Sequence, residues 1–564
     1  IKERRKNPAI PFHMYFNNSE IQNDLDIANA FASHFHSVFS PPYKLTYNFE
    51  PRISIDLNNI HISTEEVHKE LINLNTNKGT GADGITPAFY KNCCLTLMEP
   101  LSVIFNFSIK SGVFPSKWKH AHIVPIFKNG DKNNVSNYRP ISLLSAPTKL
   151  FESIITSHLA FKFKHVIIPE QHGFLKKRST LTNLFSFTNF ILSNFEKARE
   201  VHTIYTDFCK AFDKVNHFNL AHKLYLYGIR DPLLSWVTSY LTSRTQQVKI
   251  RKTFSKVIHV TSGVPQGSII GPFLFLLYIN DLGYLLKSKF LMFADDLKIF
   301  NQVNNDTVTS LQLDLNNLTV WCENNAMSLN LEKCYVLNFS HKLNKSTPCY
   351  SISNSVLREV DNIKDLGVVL DTKLTFTKHY DFIVAKANKM LGCIKRWTSD
   401  FANVRILLLL FNAFVRSVLE YCAVIWSPFY NIHILRIENV QGKFLKYVDF
   451  KLRSRNVIVP FNQLCDYLGL IPLQKRRIHL QLCFLYKIVN NFVDSGEILS
   501  QILFATPHYS TRSQSLFKFN CFKTNYCLHS SLQRLLWLGG LCRTEVDFTG
   551  VSFKVFKSQL RNLF

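Results

Sequence analysis

Lys289-Phe290-Leu291-Met292-Phe293-Ala294-Asp295-Asp296-Leu297-Lys298-Ile299-Phe300 is a pair of short apolar runs interrupted by two adjacent carboxylates. Short apolar runs flanking a tight polar break predict a β-hairpin. This turn carries acid where Asn-Gly is usual. Two like charges side by side cost free energy unless water or a cation compensates them. In an exposed turn water does so, and the pair means nothing. In a cleft a divalent cation does so: Mg²⁺ takes one or two carboxylates and completes its shell with substrate phosphates. The rest of the chain decides between these readings.

Val201-His202-Thr203-Ile204-Tyr205-Thr206 reads as a strand that ends at Asp207, and an aromatic, Phe212, follows five positions later. Two-metal phosphoryl transfer holds its ions about 3.5–4 Å apart, so it needs carboxylates from two strands lying side by side. Asp207 and the Asp295-Asp296 turn would supply them. Alone, Asp207 would be an ordinary strand-end residue. A third stretch, Ser262-Gly263-Val264-Pro265-Gln266-Gly267-Ser268, precedes the apolar run Phe273 to Ile279. Its glycines permit close backbone approach to a base or sugar, or else simply turn the chain into a buried helix.

The chain has 564 residues, enough for two or three domains. With 46% hydrophobic and 19% charged residues it has the composition of a globular protein. The formal net charge of +26 favours a polyanionic partner, nucleic acid or an acidic membrane surface. The basic residues are dispersed in small groups such as Lys176-Lys177-Arg178 and Lys475-Arg476-Arg477, so folding, not a basic tail, must assemble the surface. Thirteen cysteines without a Cys-x-x-Cys pair predict reduced thiols in a cytosolic or nuclear setting. No signal peptide is visible, and the longest apolar runs are too short to span a bilayer, so no membrane partner is expected. The pairs His34/His36 and His120/His122 lack a nearby Cys or acid and are not expected to bind metal.

Helical spacing predicts helices over Ile21–Phe39, Leu220–Tyr227, Pro232–Leu241, Thr307–Asn325, Arg405–Tyr421 and Ile434–Tyr447. Gln246–Arg251 and Lys256–Val260 read as paired strands. Beyond Val457 the pattern stays helical and carries no motif.

Asp207-x-x-x-x-Phe212, then Pro265-Gln266-Gly267, then Phe293-Ala294-Asp295-Asp296, in that order, resembles the reverse transcriptases of non-LTR (LINE-type) retrotransposons, the jockey-like group in particular. Asn77 to Ile85, Val124 to Asp131, Asn137 to Ser142, Gln171 to Phe174, Leu329 to Lys333, Leu366 to Val368 and Leu419 to Pro428 extend the likeness over about residues 20 to 480. The resemblance implies an α/β (α+β) right-hand polymerase with fingers and palm, a helical thumb and a helical C-terminal extension. Its implied boundaries are 1–60 for an N-terminal linker or extension, 61–345 for fingers and palm, 346–450 for the palm end and thumb, and 451–564 for the C-terminal extension.

The same resemblance implies an RNA-directed DNA polymerase that extends a primer 3′-OH on an RNA template. Asp207, Asp295 and Asp296 would be catalytic and hold two Mg²⁺ ions, with Mn²⁺ as a substitute. Lys128 and Arg139 would hold the triphosphate, Phe212 would gate the sugar, Gln266 would lie beside nucleotide and template, and Lys333 would be a general acid. Implied partners are an RNA template, a DNA primer or target, and dNTPs, in a ribonucleoprotein of nucleus and cytoplasm. An endonuclease domain is expected upstream and is not seen in this sequence. Two alternatives stay open: a group II intron-type reverse transcriptase, and a catalytically silent relic that still binds nucleic acid.

Overall fold

Residue 201 to residue 206 is buried without interruption, which only a strand covered on both faces achieves. This strand, Val201–Thr206, sits in the middle of a five-stranded sheet ordered Arg358–Glu359, Tyr335–Phe339, Val201–Thr206, Asp296–Gln302, Lys289–Phe293. The computed structural model describes residues 10–41, 49–342, 349–400, 403–454, 457–494, 496–505, 516–518, 524–542 and 545–563.

Alternation along the strands sends side chains into two different cores. Ile204, Met292, Ile299 and Val336 face a core built with the Ile270–Ile279 helix, which is buried all round, and with the Asn305–Asn324 helix. Leu311, Leu315, Leu318 and Trp321 form the buried stripe of that second helix, as their spacing predicts. On the opposite face Val201, Tyr205, Phe300 and Phe339 pack on the Thr180–Glu196 helix and on the helical half of the chain.

A second sheet runs Tyr138–Leu143, His120–Phe127, Arg244–Ile250, Thr253–Phe254, with Ile258–Val260 also paired to Arg244–Ile250. The Asp24–Ser37 helix closes one face of it, burying Ile27, Phe31 and Phe35 against Ile123, Tyr138, Val248 and Ile250. Asn23 caps that helix by accepting from the backbone N–H of Leu25 at 3.0 Å.

The helical half contains Thr377–Trp397, Asn431–Arg453, Leu473–Val489, Ser531–Leu541 and Phe553–Leu563. The single helix expected over Arg405–Tyr421 is instead Val404–Leu410, a π-turn over Phe411–Arg416, and Ser417–Glu420. Its buried residues, Leu407, Phe411, Val415 and Leu419, recur every fourth position. That spacing drifts around a 3.6-residue helix, and the wider i→i+5 turn holds all four on the core side. Phe411 thereby stacks on Phe444 at 4.2 Å. Among the described residues no helix is long and apolar enough to cross a membrane.

Candidate active site

The two apolar runs form the expected hairpin, with Asp296 opposite Phe293 and a two-residue turn of Ala294 and Asp295. Ala294 adopts a φ of +58°, a left-handed conformation that costs a residue with a Cβ about 1–2 kcal/mol. A buried amide holds it there. Gln171 Oε1 accepts from the N–H of Ala294 at 2.9 Å and of Gly173 at 2.8 Å, and its Nε2 donates to the Ala294 carbonyl at 3.3 Å. A Cβ at Gly173 would lie 2.3 Å from the Ala294 nitrogen, so only glycine fits beside the turn. Asn183 Nδ2 donates to the Met292 carbonyl at 3.1 Å and steadies the strand leading in. Gln171 and Asn183 work on this turn, and their sequence spacing to it says nothing of that.

The Asp296–Gln302 strand pairs antiparallel with Val201–Thr206, Leu297 facing Thr206. This register brings Asp207 and Asp296 to one end and one face of the sheet. The chain after Asp207 is tied to residues 328–330, with Cys209 N–H donating to Ser328 O and Asn330 N–H to Asp207 O, both at 2.8 Å. That pairing lays Lys333 over Asp207, with Nζ 3.2 Å from Oδ2.

Burial raises the Asp295 carboxyl; its own backbone N–H pulls it down, the charge of Asp207 raises it further, and Arg139 and Lys128 oppose the rise. Asp296 opens to solvent at the mouth of the cleft but is crowded on its other sides. Loss of water there, then Asp295, Asp365 and Asp207, raise it to about 6 against the pull of Lys298. Lys128 is lowered by partial burial and then by Arg139 and Lys333, while Asp207 works the other way. Asp207, Asp295, Asp296, Lys128, Arg139 and Lys333 thus form one electrostatic group. Lys128 and Arg139 reach it from the hairpin of the second sheet, where Ile126 faces Arg139.

Phe212, on the loop after Asp207, and Gln266, on the 262–268 loop, form a neighbouring group, joined by the Val264 N–H donating to Phe212 O at 2.9 Å. Phe212 is half-buried, stacked on Phe275 at 4.3 Å and edge-on to the exposed Phe174 at 6.0 Å. Gln266 Nε2 donates to Asp213 Oδ1 at 2.8 Å. Asp213 is buried, and that burial raises its carboxyl. Gly263 and Gly267 have the close approaches expected of them, but to this chain's own backbone. A Cβ would meet Asp213 O at 2.7 Å and Ser142 O at 2.8 Å respectively. The loop is further fixed by Glu152, fully buried, which accepts from the Ile269 N–H and from Tyr240 Oη, each at 2.7 Å. Lys210 links the two groups, acting electrostatically on both Lys128 and Asp213.

A cleft of about 420 Å³ opens beside Asp207 and Asp296, walled by Lys333, Tyr335, Lys364 and Leu366. The hard carboxylate oxygens suit Mg²⁺, and mutual crowding gives them reason to accept a cation. Among the described residues no set of three or more His, Cys, Asp or Glu side chains already meets the geometry of a metal site. The histidine pairs set aside above include His120, whose Nδ1 lies 2.9 Å from Thr245 Oγ1.

Residues 127–370 match the family model described as reverse transcriptase (RNA-dependent DNA polymerase). This segment is a reverse transcriptase domain. Every residue of both groups described above falls inside the matched segment. The chain is 29% identical to the probable RNA-directed DNA polymerase from transposon BS of Drosophila melanogaster, over 64% of this chain and 42% of that one. It is 27% identical to the corresponding protein of the transposon X-element of the same fly, over 79% and 51%. It is also 27% identical to the RNA-directed DNA polymerase from its mobile element jockey, over 77% and 50%. The chain spans about half the length of these relatives. A solved apo telomerase from Candida tropicalis overlays 50% of this chain and 59% of its own at 14% identity and a TM-score of 0.34, a likeness too loose to carry any detail.

Proposed function

We propose that this chain copies RNA into DNA as the polymerase of a non-LTR retrotransposon, extending a primer 3′-OH on an RNA template with deoxynucleoside triphosphates. The primer is a nicked chromosomal strand, and the working particle is a ribonucleoprotein of nucleus and cytoplasm. The register of the central sheet carries this reading, because it gathers Asp207 and Asp296 on one face with Asp295 in the adjoining turn. When bound by these carboxylates, two Mg²⁺ ions, or Mn²⁺, supply positive charge to the attacking and leaving oxygens.

The chain's own residues do the remainder, which in phosphoryl transfer is positioning and electrostatics. Lys128 and Arg139 receive the triphosphate, the guanidinium offering two parallel donors. Phe212, propped by Phe275, walls the sugar. Gln266, its amide oriented by Asp213, lies beside nucleotide and template. Lys333 leaves Asp207 as the site fills and gives its proton to the departing pyrophosphate. Residues 61–345 act as fingers and palm and 346–450 as palm end and thumb. Residues 1–60 are an N-terminal linker or extension, and 451–564 a helical C-terminal extension.

The names of the relatives favour a mobile-element enzyme over a group II intron type. Retention of every charged position in the site favours an enzyme over a silent relic. The test is primer extension on an RNA template with Mg²⁺. Wild type should extend, and Asp295→Asn should not, while primer–template binding persists because phosphates are gripped by Lys and Arg elsewhere. Undiminished extension by Asp295→Asn would sink the assignment.

A further inference from the structure

The loop that carries Gln266 is held on one side by a buried acid, and the steps above make no use of it. Asp213, Arg244, Gly263, Pro265 and Gln266 line a cavity of about 40 Å³ behind this loop, so packing alone does not fix the loop's height. Hydrogen bonds to other elements do. Before Gln266, Gly263 N–H donates to Val215 O at 2.8 Å. At Gln266, the carbonyl accepts from Ser142 N–H on the Tyr138–Leu143 strand at 2.7 Å. After Gln266 the loop meets Glu152 twice. Ile269 N–H donates to Glu152 Oε2 at 2.7 Å. Tyr240 Oη donates to Glu152 Oε1 at 2.7 Å, and Tyr240 also hydrogen-bonds Ser268.

Glu152 has a firm mount. It lies on the Ala146–Lys162 helix, whose Phe151, Ile154 and Ile155 are buried in the core shared with the Ile270–Ile279 helix. Its carboxyl is fully buried, and that burial raises it against the Ile269 N–H, Tyr240, Arg244 and Lys149. Burying a carboxylate costs free energy, and an apolar side chain of similar bulk would fill the same space without that cost. What the acid supplies is an acceptor. Ser268 Oγ already takes the Gly271 N–H at 3.0 Å, and the Ile269 N–H is left to Glu152. Were that all, Glu152 would be a helix cap contributing about 1 kcal/mol of stability. Yet the tie falls three residues from Gln266, beside a cavity into which the loop can settle once the tie is cut.

We propose that Glu152 is a positioning residue for nucleotide selection: it fixes the height of the Gln266 loop against the nascent base pair, and so sets how strictly the incoming nucleotide must match the template. The proposal rests on the polymerase reading above. Without the tie the carboxylates at Asp207, Asp295 and Asp296 keep their places, so a matched nucleotide still reacts. The loop beside it sinks, and a mismatched one is no longer turned away as firmly.

The test uses the full chain on an RNA–DNA primer–template. Glu152→Met keeps the bulk and removes both acceptors. Glu152→Gln keeps the tie, since its Oε1 accepts from Ile269 N–H and its Nε2 donates to Tyr240 Oη. Melting temperature is measured, together with single-turnover incorporation of matched and mismatched dNTPs over a range of concentrations. Glu152→Met should need more matched dNTP to reach half its maximal rate, with that maximal rate little changed. Its preference for matched over mismatched dNTP should fall by about 10- to 100-fold, the scale of a misplacement near 1 Å. Glu152→Gln should keep most of the preference. A folded Glu152→Met with the wild-type preference overturns the proposal, as does a Glu152→Gln no stricter than Glu152→Met. So does an equal slowing of matched and mismatched incorporation, the mark of a general loss of structure. Should Glu152→Met fail to fold, Glu152→Asp, which draws the carboxylate back by one methylene, is held to the same criteria. If neither folds, Glu152 is a folding element and the proposal falls. Wild type that binds primer–template but never extends would instead bring down the polymerase reading and this inference with it.

Discussion

Substituting Gln171 by leucine should displace the Ala294-Asp295 turn while leaving the molecule folded. The side chain is buried and makes three hydrogen bonds, two accepted from backbone N–H groups and one donated to a carbonyl, all at or beside Ala294. Leucine has similar bulk and none of the polar atoms. A buried polar group left without a partner costs about 1–3 kcal/mol. Three of them bring the loss to about 3–9 kcal/mol if the turn stays where it is. The turn has a cheaper course. Ala294 is held in a left-handed conformation that it would otherwise leave, so relaxation recovers about 1–2 kcal/mol and lets water reach the freed groups. Relaxation moves Asp295. A domain with stability on the order of 5–15 kcal/mol survives the relaxed course, but the carboxylate no longer keeps its place near Asp207. Urea unfolding should show a lower midpoint with an unchanged slope, and single-turnover extension should fall by about 10²-fold or more. Gln171→Glu keeps the acceptor, loses the donor and sets a charge beside Asp295, so it should be intermediate in stability and slow in extension. A leucine variant with both the wild-type midpoint and the wild-type rate would refute the clamp.

Phe212→Val should keep substantial dNTP use and raise ribonucleotide use by about 10²-fold. A uniform fall in both, with a lower melting temperature, would make Phe212 a core residue only. With a net charge of +26, affinity for primer–template should fall by about 10³–10⁵ between 50 and 200 mM salt if 6–10 phosphates are neutralised; a flat salt profile would turn the charge away from nucleic acid. Asp296 is raised to about 6 in the folded chain, above the ~3.9 of an unfolded aspartate. The folded state therefore holds more protons than the unfolded one between those values, and stability should decline as pH rises from about 4 to about 6. Asp296→Asn should flatten that decline and melt higher than wild type at pH 7 while losing extension; thermal melts at pH 5 and 7 check it.

The hairpin at 289–300 was legible because its signal is local: two apolar runs and an acidic break need no knowledge of the rest of the chain. The same holds for Val201–Thr206, for the Asn305–Asn324 stripe, and for the ordering of Asp207, Gln266 and Asp295 along the sequence. Illegible were the groups that act across distance. Gln171 reaches Ala294 over more than a hundred residues, and Glu152 reads as one acid in a helix until Ile269 arrives from another element. The glycines of the 263–267 loop were readable as close-approach residues, but not what they approach, since Asp213 and Ser142 come from separate elements. The π-turn at Phe411–Arg416 escaped because a four-residue repeat looks helical whichever way the backbone accommodates it.

The central sheet divides its two faces between two cores, and one of them is completed only near the end of the chain. Phe187, Phe300 and Phe339 belong to the same buried cluster as Phe484, Leu535, Phe556 and Leu560. A fragment trimmed to the 127–370 segment would keep every charged group of the site and the Thr180–Glu196 helix, yet lose most of the core on that side of the sheet. Such a fragment would be expected to aggregate on expression. The boundaries that sequence similarity draws around the chemistry are therefore narrower than the boundaries of what can fold. A missense change at Leu560 would act through abundance, whereas one at Asp295 would act at the site itself.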